Sequence, residues 1–403
     1  MAKVVWAPEP TIPSSKTHKS LLKCYNPAAM DDSGRAREGY LVLADITGYT
    51  KYLAGTELEH AQGIIGELMS LIVACLAPPP RFVKSEGDAI FCCAEASLLA
   101  DGERLLELLE VCYLQFSNRL GDMARATTCL CAACAAMDTL DLKFIAHFGT
   151  FVPQRVAGLE DVAGVDVILA HRLLKNSITE QTGCRAYAFF TDPCLAHLPA
   201  SLPLRRHSES YESLGEAAGG VYDLRPVLEG ERQAPRRYIA ADEADFEFTS
   251  GGPVPAALLW QYLVEPEKRL QWHADAVAET NEPNDRGRLG VGAASHCDHG
   301  GSGAALHRYV DWRPFSYFTT ELTPTKGSFL GPWAVETSEI VPEANGWTTT
   351  HYRLRLIDRG WFSRLKFRLL VAPFFRRGMT RSVQRLRSLL ENENSDVQAA
   401  ESD

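Results

Sequence analysis

Ten of the eleven cysteines lie at or before Cys194, whereas six of the seven tryptophans (Trp260, Trp272, Trp312, Trp333, Trp347 and Trp361) lie beyond residue 250. One hydrophobic core draws on one mixture of side chains, so this partition predicts two cores built separately. Length agrees, because 403 residues exceed what a single core usually serves at roughly 150 residues per domain. Between the halves, LRPVLEGERQAPRRYIAADEADFEF carries prolines, a glycine and dense mixed charge without apolar periodicity, the composition of a solvated linker. The expected organisation is a flexible extension over 1–36, a first domain over 37–230, a linker over 231–243, a second domain over 244–392 and a disordered acidic tail over 393–403.

Hydrophobic residues at 46% and charged residues at 23% describe a globular chain rather than a disordered or fibrous one. A net charge of −10 argues against a nucleic-acid partner, since phosphate affinity rests on clustered Lys and Arg. The N-terminus lacks an apolar signal-peptide core and no run of ~18 apolar residues occurs, which predicts a cytoplasmic protein. Eleven cysteines, an odd number in a long chain, then read as reduced thiols rather than a disulfide framework.

Tyr40-Leu-Val-Leu-Ala is a continuous apolar run ending at Asp45, the pattern of a buried strand with a carboxylate at its exit. A capping box from Thr56 to Glu59 opens an amphipathic helix over about 57–76, and Pro78-Pro79-Pro80 stops it. Strand-like runs from Arg81 and from Ala89 are joined by Ser85-Glu-Gly-Asp, a hairpin whose turn needs the glycine. A helix over about 103–120 and a strand over 141–148 follow. Hairpins mixed with helices, without strict alternation, predict an α+β sandwich. Cys92 and Cys93 read as core, and His147 as a hydrogen-bonded strand residue.

ADITGYT at 44–50 and KSEGDAIF at 84–91 resemble the two metal-binding segments of class III nucleotidyl cyclases, and the resemblance extends over about residues 36–228, closest to a cysteine-bearing bacterial branch. It implies a ferredoxin-like cyclase sandwich in which Asp45, Asp88 and the backbone of Ile46 hold two Mg2+ or Mn2+ ions, hard cations that prefer oxygen. LKFIAHFG at 142–149 places Lys143 where the family keeps a pyrophosphate-binding cation, and EDVAGVDVILAHRLL at 160–174 ends in the position of its transition-state arginine, Arg172. Lys84 and Asp161 fall where adenine-selecting members keep a Lys and Asp pair. The implied reaction is ATP to cyclic AMP and pyrophosphate, in a head-to-tail homodimer with shared sites. One position departs: Ile168 stands where the family has an asparagine that orients the ribose.

Cys129, Cys131 and Cys134 lie within six residues. This spacing can bind structural zinc if a fourth ligand arrives from elsewhere, or the thiols can pack like alanine. In the second half, FEFTSGG, PVPAALLWQYLVEPEKRLQW, three strand-like stretches and a final helix over about 361–390 resemble the helix-grip domains of the START and polyketide-cyclase (SRPBCC) superfamily. That resemblance implies an apolar small molecule held between sheet and helix, with Trp260, Trp272, Trp312 and Trp333 as candidate lining. Pro373 and Gly378 are expected to kink the helix. From Trp361 to Leu390 there are eight Arg or Lys and no acidic residue, a solvated face or a surface for anions or a membrane. Two readings follow: a nucleotidyl cyclase regulated by a hydrophobic ligand, or a degenerate cyclase scaffold carrying a ligand-binding domain.

Overall fold

A computed structural model describes residues 34–99, 102–129, 131–300, 303–326, 333–343 and 346–399. Residues 1–33 of the expected extension and 400–403 of the expected tail lie outside the described residues. The chain divides into two compact units with the break between Ala234 and Pro235.

The first unit is an α+β layer structure around a mixed sheet in the order β2 (Arg81–Glu86), β3 (Ala89–Glu95), β1 (Arg37–Thr47), β4 (Asp141–Val156), β6 (Tyr187–Thr191), β8 (Gly215–Asp223) and β7 (Leu204–Tyr211), with β5 (Leu159–Ala163) paired to β4. Its centre is β1 (Arg37–Thr47), antiparallel to β3 (Ala89–Glu95) and β4 (Asp141–Val156). Successive strand side chains face opposite ways, so the unbroken apolar run Tyr40–Ala44 marks a strand covered on both faces. Leu41 and Leu43 join Phe91, Cys93 and Ile145 in one cluster, closed by Val167, Ala170 and Leu173 of helix α5 (Val165–Leu173). The other face meets helices α2 (Leu58–Leu76) and α3 (Gly102–Ala126), which follow the short helix α1 (Tyr49–Ala54). Helix α2 is long and apolar enough to cross a membrane, but Ala61, Ile64, Ile65, Leu68 and Ile72 put one face of it into this unit's interior. Cys92 and Cys93 are buried.

The expected capping box does not form. Thr56 donates its hydroxyl back to the Tyr52 carbonyl at 2.8 Å, and Glu57 caps α2 without a side-chain bond. Glu57 instead accepts the backbone N–H groups of Ala132 and Ala133 in a short helix α4 (Ala132–Ala135). The hairpin between β2 (Arg81–Glu86) and β3 turns at Gly87, whose φ of 64° suits glycine.

The stretch read as a solvated linker is ordered. Helix α6 (Arg225–Gln233) occupies its start, and Arg237 and Ile239 donate backbone N–H groups to Asp311 and Thr337 of the second unit. Ile239, buried, is the apolar anchor that the charge density conceals.

The second unit has an antiparallel sheet in the order β10 (Ala278–Glu282), β11 (Ala294–Asp298), β12 (Ala304–Arg313), β13 (Tyr317–Lys326), β14 (Ala334–Pro342), β15 (Thr348–Leu356) and β9 (Phe246–Gly252). Its first strand, β9 (Phe246–Gly252), pairs with its last, β15 (Thr348–Leu356). Helices α7 (Ala256–Val264) and α8 (Pro266–Trp272) follow β9. The C-terminal helix comprises α9 (Trp361–Lys366), a π turn (Phe367–Val371) and α10 (Ala372–Ala399), so it enters the stretch expected to be a tail. Pro373 has no N–H for a preceding carbonyl, and the widened turn falls just before it. Gly378 has another role than a kink: a Cβ there would sit 2.8 Å from Asp275 Oδ2.

Candidate functional site

Strand register assembles the first constellation. Asp45, at the exit of β1, pairs across the sheet with Ala89, the neighbour of Asp88, on one side and with Lys143 on the other. Lys143 Nζ lies 3.0 Å from Asp45 Oδ2 and donates to the Leu174 carbonyl at 3.2 Å. In this arrangement Lys143 is therefore committed to the carboxylate rather than held out for a phosphate. Burial, followed by the charge and hydrogen bond of Asp45, pushes the Asp88 carboxyl up to about 7. Two adjacent carboxylates in a half-buried place resist joint ionisation unless a cation joins them. Their oxygen donors suit a hard divalent ion.

The second pair also meets. Lys84 Nζ lies 3.3 Å from Asp161 Oδ2, on β5 (Leu159–Ala163), and 3.2 Å from Glu86 Oε1. Burial works against the Lys84 charge, but hydrogen bonds to Glu86 and Asp161 outweigh it and leave the ammonium above its usual range. Sequence reasoning missed two neighbours, Glu86 and His171. His171 Nδ1 is 3.3 Å from Glu86 Oε2, its ring meets Phe91 edge-on, and its Nε2 is buried without a hydrogen-bond partner among the described residues. Burial lowers its pKa. Both stand inside or beside the quoted motifs, but only the fold turns them toward Lys84. His147 bonds Thr191 at 2.8 Å within the sheet.

Arg172 is exposed at the end of α5, and its guanidinium has no hydrogen-bond or ion-pair partner among the described residues. Ile168 is 53% exposed on the same helix, near Val165 in sequence at 68%. Ile46 is buried in β1.

Cys129, Cys131 and Cys134 converge with His60 of α2, their ligand atoms all within 4.8 Å of one another. His60 gave no signal in the sequence, being one polar residue on the exposed side of a helix.

In the second unit a cavity of about 610 Å3 lies between sheet and C-terminal helix. Phe248, Leu263, Phe318, Leu322, Phe375 and Leu386 supply apolar wall, and Arg269, His273, His299, His307 and Glu336 supply polar wall. Of the four candidate tryptophans, Trp272 lines this space. Trp260 is fully buried in the core with Trp312 packed edge-on at 4.9 Å, and Trp333 is 58% exposed. Trp260 and Trp312 are taken up instead by an aromatic cluster with Tyr309, Phe315 and Phe318. Arg269 pairs with the buried Glu279 at 2.7 Å. Burial, then the positive charge of Arg269, brings His273 down to about 3, so its imidazole is neutral. His273, Cys297 and His299 also bring ligand atoms within 4.8 Å of one another.

A family model described as a protein of unknown function (DUF2652) matches residues 65–182. Among curated proteins, this chain is similar to the uncharacterised protein Rv2561/Rv2562 of Mycobacterium tuberculosis, at 31% identity over 153 residues, 36% of this chain and 66% of that protein. The match thus spans just under two thirds of the relative's length. Similar solved structures include a bacterial light-regulated adenylyl cyclase (TM-score 0.38, 13% identity, 55% of this chain and 63% of that one). The adenylyl cyclase CyaB from P. aeruginosa gives 0.34, 15%, 47% and 95%. DynU16, a putative protein of the dynemicin biosynthetic locus, gives 0.28, 16%, 36% and 46%.

Proposed function

We propose that the first unit is a nucleotidyl cyclase that converts ATP to cyclic AMP and pyrophosphate, and that the second unit binds an apolar small molecule that regulates it. The observation that carries the reading is the adjacency of Asp45 and Asp88, with the Asp88 carboxyl raised to about 7 by burial and by Asp45. Divalent cations at these carboxylates and the Ile46 carbonyl would activate the ribose 3′-hydroxyl and stabilise the leaving pyrophosphate. Lys84 donates to an adenine ring nitrogen and Asp161 accepts from the exocyclic amine, a polarity that guanine reverses. Arg172, exposed and without a partner among the described residues, supplies charge to the reacting phosphates. Lys143 neutralises Asp45 until the cations and nucleotide arrive, then turns to the phosphate.

A head-to-tail homodimer supplies the complete site. Val156, Leu159, Val165 and Ile168, each more than half exposed, give the β4–β5 arm and the start of α5 an apolar surface of the kind that subunits cover. The test is incubation of purified protein with each of the four nucleoside triphosphates and Mn2+, with mass detection of cyclic products. Cyclic AMP as the main product supports the reading, and no cyclic product from any of the four defeats it.

A second reading has its own support in Ile168, which cannot donate a hydrogen bond, and in the 610 Å3 cavity. There the cyclase-like unit is a scaffold, and the second unit, a helix-grip domain of the SRPBCC kind, carries the function. Its cavity is within the range that holds small organic ligands.

A further inference from the structure

We propose that His60, Cys129, Cys131 and Cys134 bind one structural zinc ion. His60 Nδ1 lies 3.1 Å from Cys131 Sγ, 3.8 Å from Cys129 Sγ and 3.9 Å from Cys134 Sγ. A tetrahedral zinc with ordinary Zn–S and Zn–N lengths separates such ligand atoms by about 3.6 Å, and these distances straddle that value. Three thiolates and an imidazole select a soft or borderline ion over Mg2+ or Mn2+, so the site is chemically independent of the Asp45 and Asp88 pair. Four protein ligands leave no open position, which marks the ion as structural.

The consequence is mechanical. Besides the ion, Glu57 holds the N–H groups of Ala132 and Ala133, and Tyr52 donates its hydroxyl to the Ala133 carbonyl at 3.0 Å. The segment then runs past Gly48, where a Cβ would come within 2.8 Å of the Thr139 carbonyl, and enters β4 two residues before Lys143. Zinc thus fastens the approach to β4 against the turn that leaves Asp45. Full-length protein expressed with added zinc should carry about one zinc per chain by elemental analysis. Co2+ replacement should give tetrahedral thiolate absorption bands. Cys131→Ser should lose the metal. His60→Ala, which keeps every thiol, should weaken affinity at least about tenfold and alter the Co2+ bands. Protein that carries iron instead, or that takes no metal and gives no tetrahedral Co2+ spectrum, overturns the assignment whether or not cyclic products form.

A different observation supports a second proposal: we infer that the α9–π turn–α10 face docks on a membrane bearing anionic lipids. Trp361 is 75% exposed, Phe362 67%, Leu369 64%, Leu370 60% and Phe374 66%. Among them Lys366, Arg368 and Arg377 are exposed, with no acidic partner among the described residues. Aromatic and aliphatic side chains interleaved with free cations match an interface of acyl chain and anionic headgroup. Leu370 and Phe374 also line the cavity, so they border its mouth, and an apolar molecule leaving the bilayer reaches the cavity without crossing water. The full chain should sediment with phosphatidylserine-containing vesicles and much less with pure phosphatidylcholine vesicles. Lys366→Glu with Arg368→Glu should weaken binding at least about tenfold, and Trp361→Ser with Phe362→Ser should abolish it. Absent binding, or binding that survives both double variants, overturns the proposal. So does concentration-dependent self-association lost in the Trp361 and Phe362 variant while vesicles are ignored, because it assigns the face to a second copy.

Discussion

At the residue scale, the proposed reaction lacks a hydrogen-bond donor at position 168, where the chain has an isoleucine. Ile168 is half exposed on α5, the helix that ends in Arg172, so its side chain can be exchanged without opening the core. Loss of one preorganised donor usually costs a factor of about 100–1,000 in turnover. Ile168→Asn should therefore raise cyclic AMP formation, by about tenfold or more, in protein that remains folded and dimeric. An unchanged rate in a folded variant would show that position 168 does not orient the substrate. The opposite change, Asp88→Ala, should remove Mn2+-dependent ATP binding in calorimetry, because one carboxylate cannot serve both ions.

At the scale of elements, strand pairing in the second unit builds a buried polar network on the cavity wall. Glu336 of β14 (Ala334–Pro342) accepts from His307 at 3.1 Å and from the Tyr352 hydroxyl. Burial alone would raise its pKa, but His307, Tyr352 and Arg269 outweigh burial and hold the carboxyl below its ordinary 4.5. A carboxylate depressed in the folded state contributes stability above its unfolded pKa and loses it as pH falls through the folded value. Glu336→Gln should cost about 3 kcal/mol near neutral pH, since it leaves buried donors without their anion. The difference from wild type should shrink below about pH 4. Thermal melts at both pH values test this, and a constant difference would mean that the charge is not what stabilises the network.

At the scale of the whole molecule, the proposed shared site makes a complementation test possible. Asp45→Ala and Arg172→Ala homodimers should both be inactive, whereas co-expressed heterodimers place both lesions in one composite site and leave the other intact. Activity should return to about half of wild type per heterodimer, and verified heterodimers that stay inactive would exclude a shared site. The sequence by itself determined the two-unit division, the strand that carries Asp45, though it runs on to Thr47, the hairpin at Gly87 and the helix after Thr56. Each follows from a local pattern, an apolar run or period closed by a turn residue or proline. Local pattern misled where a partner distant in sequence competed. Glu57 turns to the N–H groups of Ala132 and Ala133 and the Thr56–Glu59 capping box does not form, Ile239 anchors a stretch whose charges read as linker, and Trp260 fills core rather than cavity. Only tertiary structure decided which side chains meet, because register across β1, β3 and β4 put Asp88 and Lys143 beside Asp45, and docking of residues 129–136 on α2 brought His60 to three thiols. Spacing along the chain names the donors, but convergence in space is set by packing between elements, which no single segment encodes.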